Sequence, residues 1–327
     1  VSSLRIGVLG LGKMGRHHVR CAASAEGVVL AAACDVDPER AAGLPEGIPF
    51  TADPDELLDR CDAVVLAVPT DLHGALGRRV LEAGRHLLVE KPLAADADAC
   101  RGLVATAERV GRVLGVGHVE RWNGAMEAVR DRVGRPRFIE GHRLAEFDPR
   151  GTEVDVVLDL MIHDLDLVLQ VYGEAPERVE AVGVPVISDR VDIANARLEF
   201  GHGELVNLTA SRVSRDPVRK LRLFQEETYL SVDLRAQRAE VYFREPRAPG
   251  GFARDVVTAP EGHNPLVREL EAFAAACRGE PSRLAGPEEG TRAVELAGRI
   301  LASLTERSAR WSGTAAGKGA SWADARS

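Results

Sequence analysis

Short apolar runs alternate with amphipathic stretches along the first third of the chain. Residues 4–9 (LRIGVL), 28–34 (VVLAAAC), 63–68 (AVVLAV), 86–89 (HLLV) and 113–116 (VLGV) are too short for helices and lack the polar–apolar alternation of a half-exposed strand. They predict strands buried on both faces. Between them, residues 16–23, 55–60, 74–83 and 96–110 read as helices. Such alternation predicts a parallel sheet covered on both sides, and right-handed crossovers make it doubly wound.

The pattern changes near residue 120. Residues 137–147 read as a strand and 154–172 as one long apolar helix. Strands follow at 179–186, 194–200, 204–211, 220–225, 228–234 and 239–243, separated mostly by Gly, Asp or Pro. Strands that succeed one another without helices predict a large antiparallel sheet, hence an α+β unit. Helices over 265–278 and 287–304 close it, and the Ala/Gly/Ser-rich stretch from Ser308 predicts a disordered tail. The predicted organisation is an α/β domain over residues 1–120, an α+β substrate and oligomerisation domain over 121–307, and a tail over 308–327. A chain of 327 residues suits two cores, since single cores stop growing at about 250–300 residues.

Composition narrows the partners. A formal net charge of −8 repels phosphate backbones, so nucleic acid is not an expected partner. Five cysteines, odd in number and without a CxxC pair, predict reduced thiols and no metal site. The apolar run at the N-terminus is broken by Gly7, Gly10 and Gly12, which does not suit a leader peptide. No run approaches the ~20 apolar residues of a membrane helix. A cytoplasmic protein without membrane contact is expected.

Gly10-Leu11-Gly12-Lys13-Met14-Gly15 fits GxGxxG and sits between the first strand and the first helix. There the first glycine permits a tight turn, the second admits a pyrophosphate, and the third lets helix and strand pack closely. The free N–H groups of the helix N-terminus then face the anion. Asp35 follows Gly15 by 20 residues, at the end of the second strand, where a carboxylate binds ribose hydroxyls. With Asp37 beside it, the pair disfavours a 2′-phosphate, so NAD is expected over NADP, although Arg40 lies close by. The first domain is therefore expected to be a Rossmann fold.

Two further features carry candidate chemistry. Glu90-Lys91-Pro92 follows the strand at 86–89, beyond the carboxyl end of a parallel sheet, where ligands bind. Lys91 is either a solvated surface lysine or a cation aimed at the cofactor. Asp159, His163 and Asp166 lie at i, i+4 and i+7 of the predicted apolar helix, on one face. They are either a structural Asp–His pair with an ion pair, or catalytic groups in a pocket.

With these motifs in place, the chain resembles the Gfo/Idh/MocA family (glucose–fructose oxidoreductase / inositol dehydrogenase). The resemblance rests on GLGKMG at 10–15, AVPTDLH at 67–73, EKPLA at 90–94, GHVERWN at 117–123 and DLMIHDLD at 159–166. It implies alcohol oxidation. Lys91 would lie by the nicotinamide ribose and the substrate hydroxyl, His163 or Lys91 would act as general base, and Asp159 would orient or tune His163. It also implies cofactor contacts from Lys13, Met14, Pro69, Thr70, His73, Glu90 and Trp122, Trp122 alternatively filling the domain junction. Arg121 and Asn123 would bind substrate, although Gly124 stands where the family often has proline.

Within the family the chain looks most like the bacterial nucleotide-sugar branch, whose members oxidise UDP-N-acetylglucosamine at the 3-hydroxyl. Arg212, Arg215, Arg219 and Arg222 are close enough in sequence to serve a diphosphate, or are a solvated charge run. An inositol or free-hexose dehydrogenase, or a non-catalytic NAD-binding sensor, are the other readings. The exposed face of the second sheet predicts a homodimer or homotetramer.

Overall fold

Residues 3–148 and 154–314 are described by a computed structural model. β1 (Leu4–Leu9), β2 (Val28–Cys34), β3 (Phe50–Thr51), β4 (Ala63–Leu66), β5 (His86–Glu90) and β6 (Leu114–Gly117) form a sheet of order β3-β2-β1-β4-β5-β6. All its neighbours run parallel. The helices are α1 (Lys13–Ala22), α2 (Pro54–Leu58), α3 (Thr70–Glu82) and α4 (Ala97–Val110). This is the Rossmann arrangement. The strand order reverses beside β1, which opens a crevice past the carboxyl ends of β1 and β4. Local chemistry sets the helix limits. Asp53 Oδ1 accepts from Asp55 N at the start of α2, Asp96 Oδ1 accepts from Ala99 N at the start of α4, and Gly111 ends α4 with φ +64°.

The second sheet has eight strands: β7 (Phe138–Leu144), β8 (Arg178–Val184), β9 (Ile193–Glu199), β10 (Leu205–Ser211), β11 (Val218–Phe224), β12 (Thr228–Asp233), β13 (Arg238–Arg244) and β14 (Phe252–Thr258). Its order is β14-β13-β12-β11-β7-β10-β9-β8. The sheet is antiparallel, as expected, except where β10 pairs with β7 in parallel. After β7 the chain crosses by a helix to the far edge and meanders back through β8 and β9, which returns β10 in the direction of β7. β14 was not foreseen. It is an edge strand paired only with β13, and Phe252 and Val256 remain exposed.

Helices α5 (Gly124–Val129), α6 (Ile162–Tyr172), α7 (Pro265–Cys277) and α8 (Pro287–Thr314) complete the chain. The single helix expected over 154–172 is instead a π turn, Val157–Met161, leading into α6. α8 continues to Thr314, so 308–314 is helical, and the rest of the expected disordered tail lies outside the described residues. α7 carries Leu270, Phe273 and Ala274 into a core with Ile6, Val8 and Leu11. By packing, this helix belongs with the Rossmann sheet although it follows the second sheet in sequence. A second core runs from Leu66 and Val89 through Met161 and Ile162 to Val206 and Leu208. The two sheets thus share apolar packing on either side of the crevice. Among the described residues, no helix is long and apolar enough to cross a membrane.

Candidate active site

The crevice is built first by glycines. Gly10 has φ +93°, and a Cβ there would sit 2.5 Å from the Ala67 carbonyl oxygen. A Cβ on Gly15 would fall 1.8 Å from the Gly10 oxygen, so α1 presses directly on the turn that precedes it. At Gly12 a Cβ would meet only Arg40 Nη1, 3.6 Å away, which leaves this stretch of backbone approachable. Gly12 caps α1 without a side chain, so the first N–H groups of α1 are not claimed by a capping side chain. Lys13 is exposed and Met14 half-buried. Asp35 is nearly buried, and its Oδ2 accepts from Leu11 N at 2.6 Å. This bond joins the end of β2 to the glycine loop. Glycine cradle, uncapped helix start and fixed carboxylate fit a dinucleotide.

Beside the cradle, β5 delivers Glu90 and Lys91. His18 Nε2 on α1 donates to Glu90 Oε1 at 2.6 Å, out of solvent. Burial alone would push the Glu90 carboxyl up, but the His18 bond and the Lys91 charge outweigh it and hold it below its ordinary value. The Lys91–Pro92 peptide is cis. His73 is buried at the start of α3, with its two ring nitrogens 2.8 and 3.0 Å from the carbonyl oxygens of Pro92 and Val68. It fastens the loop after β4 to the loop after β5. The loop after β4 also carries Pro69, exposed, and leads to Thr70, half-buried, at the start of α3.

Lys91 Nζ crosses the crevice to the π turn. It donates to the main-chain oxygen of Asp159 at 2.5 Å and lies 3.3 Å from Asp159 Oδ1. π turns recur at functional sites, because a widened turn re-aims the groups it carries. One turn further on stands His163, whose Nδ1 is buried and has no partner among the described residues. Its ring is held well below the ordinary histidine value, by burial first and then by the positive charges of Lys91 and Arg143. The Lys91 charge therefore acts on the His163 ring.

The third residue of the expected helical face turns elsewhere. Asp166 accepts both Arg121 Nε and Nη2 at 2.7 Å in a buried fork. Alongside it Arg143, fully inside the protein, pairs with Asp164 and, at 2.7 Å, with Glu120. Asn123 donates to Glu120 Oε2 and the Leu234 carbonyl, and its own oxygen accepts from Ala125 N at the start of α5. Arg212 donates to the Val154 carbonyl at 2.6 Å. Arg121, Asn123 and Arg212 are 5, 3 and 3% exposed. All three, which the sequence puts forward for the substrate, bond within the protein, as buried charges and amides must. Trp122, expected at the cofactor, is 4% exposed, with Arg283 over its ring and its carbonyl accepting from His263.

Sequence reasoning did not assign His18, His118, Glu120, Arg143, Asp164 or Glu269. Only Asp164 carried a readable signal, a carboxylate inside an apolar helix. Of the arginines near residue 215, Arg219 is half-exposed and 3.7 Å from Glu120, while Arg222 pairs with Glu140 across the sheet. Among the described residues no cluster of His, Cys, Asp and Glu is arranged to hold a metal ion.

A glycine-cradled crevice at the switch point of a parallel sheet, with a fixed carboxylate after β2, is the arrangement of the dinucleotide-binding Rossmann proteins. Residues 4–118 match the model for the oxidoreductase family with an NAD-binding Rossmann fold, and 124–242 match the Gfo/Idh/MocA C-terminal domain. The chain is 38% identical to UDP-N-acetylglucosamine 3-dehydrogenase of Acidithiobacillus ferrooxidans over 83% of its own length and 87% of the relative's. A solved structure of that enzyme superposes with a TM-score of 0.86 at 34% identity, covering 93% of this chain and 98% of that one. Inositol 2-dehydrogenase 2 of Saccharopolyspora erythraea is 34% identical over 53% of this chain and 55% of its own. The chain belongs to the Gfo/Idh/MocA oxidoreductase family.

Proposed function

We propose that this protein oxidises a secondary hydroxyl of a sugar, with NAD as hydride acceptor, and that its substrate is UDP-N-acetylglucosamine at the 3-hydroxyl. The observation that carries the chemistry is Lys91 Nζ held against Asp159, four residues before His163, whose buried Nδ1 has no partner among the described residues. When bound, the nicotinamide accepts the hydride. Lys91 positions the hydroxyl oxygen and stabilises the negative charge that grows on it. His163 takes the hydroxyl proton, since burial and the nearby cations favour its neutral, proton-accepting form. The Asp159 carbonyl and carboxylate keep the ammonium aimed into the crevice. His73 and the His18–Glu90 pair hold the loop from which Lys91 projects.

For the substrate, the support is the similarity across most of the chain to a UDP-N-acetylglucosamine 3-dehydrogenase. Half-exposed Arg219, beside His163 in its electrostatic surroundings, is a cation suited to a diphosphate. An inositol dehydrogenase is the second reading, favoured by relatives that match about half of the chain. Initial rates with UDP-N-acetylglucosamine and with myo-inositol separate the two. Turnover of inositol alone rules out the nucleotide sugar, and NADH binding with turnover of neither favours a sensor.

The protein is also proposed to pair with a second copy through the outer face of its second sheet. A half-buried aromatic row, Phe138, Phe224, Tyr229 and Tyr242, crosses four strands there with ring centroids 4.7–5.5 Å apart. Sedimentation as a monomer at micromolar concentration contradicts this.

A further inference from the structure

A buried carboxyl stands behind the Lys91 loop. Glu269 of α7 is fully enclosed, and neither of its oxygens has a partner among the described residues. α7 packs along α1 and against the turn Val119–Trp122 that follows β6. Its buried stripe includes Leu266, Glu269, Leu270 and Phe273, and the last two share a core with Leu88 of β5. Glu90 comes two residues after Leu88 and so points to the same side of the sheet. His18 of α1 bonds its Oε1. A Cβ on Gly117 would fall 3.3 Å from its Oε2, so the glycine that ends β6 leaves room for the carboxyl.

Glu90 and Glu269 thus lie on one enclosed face, where two carboxyls do not both ionise. Against the pull of burial, the His18 bond and the Lys91 charge keep Glu90 below its ordinary value. Burial first, and then the negative charges of Glu90 and Asp166, raise Glu269 well above its own. Glu269 therefore carries an O–H, a donor in need of an acceptor. His18 has the converse need. Glu90 takes the hydrogen of Nε2, which makes Nδ1 the acceptor of the ring, and that buried atom has no partner among the described residues. His118, one residue past Gly117, is 2% exposed and adds two ring nitrogens in the same condition. Asp166, Arg121 and Glu90 are charged neighbours of both His118 and Glu269. A buried water makes about three hydrogen bonds to groups of this kind.

We propose that Glu269 is a positioning residue for Lys91. Its O–H donates to an enclosed water, which donates to His18 Nδ1 and lies against His118. This fixes the His18 ring with its Nε2 hydrogen on Glu90. Glu90 and Lys91 are neighbours in the chain, so the line runs from Glu269 through the water, His18 and Glu90 to the loop that carries the ammonium. The proposal rests on Lys91 acting in the oxidation.

Glu269→Leu removes the donor and fills its space with apolar atoms, a change that buried polar groups often tolerate in stability. Glu269→Gln keeps a donor. Urea unfolding checks that each variant is folded. kcat and KM are measured with UDP-N-acetylglucosamine, or with myo-inositol if that is the sugar oxidised. Glu269→Leu is expected to lower kcat about tenfold to a hundredfold, the cost of a slightly misplaced reacting group, with KM unchanged. Glu269→Gln keeps most of kcat. In the Lys91→Met background Glu269→Leu costs nothing further, because the group it positions is gone. Full kcat in Glu269→Leu overturns the proposal. An equal fold loss with and without Lys91 overturns it, as does an equal loss in the Gln and Leu variants. The proton is read without turnover, as a protonated-carboxyl C=O stretch in the infrared spectrum that Glu269→Gln lacks, and identical spectra overturn the proposal as well. If Lys91→Met retains full kcat, the reading of Lys91 itself falls and takes the positioning role with it.

Discussion

The ammonium of Lys91, at the end of β5, lies 2.5 Å from the main-chain oxygen of Asp159 in the π turn of the second domain. The contact ties the end of β5 to the π turn that leads into α6. Replacing the ammonium while keeping an apolar stem, Lys91→Met, is expected to lower kcat by about 10²–10³, the range found when one donor to a developing oxyanion is removed. NADH affinity, measured by fluorescence, stays within a few-fold. A variant that retains full kcat removes Lys91 from the chemistry.

His163 predicts a pH profile. Burial first, then Lys91 and Arg143, hold its ring well below the ordinary histidine value. The ring therefore keeps its neutral form further into acid than an ordinary histidine does. The acid limb of kcat/KM is expected well below the ordinary histidine value. In Lys91→Met one cause of the depression is gone, so the residual activity loses its acid limb at higher pH than wild type. An unmoved limb in that variant assigns the titration to another group.

The glycine cradle predicts a steric penalty. A methyl at Gly15 meets backbone, the Gly10 oxygen, and no flexible side chain is there to yield. Gly15→Ala is expected to cost about 1–3 kcal/mol of stability by overpacking, read by urea unfolding, and to weaken NADH binding at least tenfold. Gly12→Ala, which meets only the tip of Arg40, is the milder control for folding.

Glu269 on α7 is completely buried, and neither carboxyl oxygen has a partner among the described residues. Burial first, then the negative charges of Glu90 and Asp166, raise its carboxyl well above the ordinary glutamate value. Between that ordinary value and the raised one, the folded protein keeps a proton that the unfolded chain releases. Stability on this account falls as pH rises through the window. Glu269→Gln, neutral at all pH, is expected to flatten the slope and to gain about 1–3 kcal/mol at about pH 8 relative to wild type. Parallel stability–pH curves for the two proteins contradict a protonated Glu269.

The sequence made legible what is local. The six-residue glycine signature, the strand before it and the helix after it lie within one stretch of chain, and their spacing encodes the turn. Lys91 and Asp159 were legible as candidates because a lysine at a strand end and charges in an apolar helix are conspicuous. The substrate-side residues were not. Arg121 pairs with Asp166, 45 positions away, and Asn123 bonds the carbonyl of Leu234, 111 positions away. Whether a polar side chain faces a pocket or a partner is decided by such distant packing. Helical periodicity also assumed a regular turn, and the π turn at Val157–Met161 breaks the phase that put Asp159, His163 and Asp166 on one face.

Deuterium transfer tests the central claim most directly. UDP-N-acetylglucosamine carrying deuterium at C3 is incubated with the protein and NAD, and the nicotinamide product is analysed by mass spectrometry. The account predicts one deuterium in the reduced nicotinamide with wild-type protein and a loss of about 10²–10³ in its rate of formation with Lys91→Met. Protein that binds NADH yet moves no deuterium from this sugar, while it reduces NAD with another polyol, contradicts the substrate. Equal transfer by wild type and Lys91→Met contradicts the mechanism.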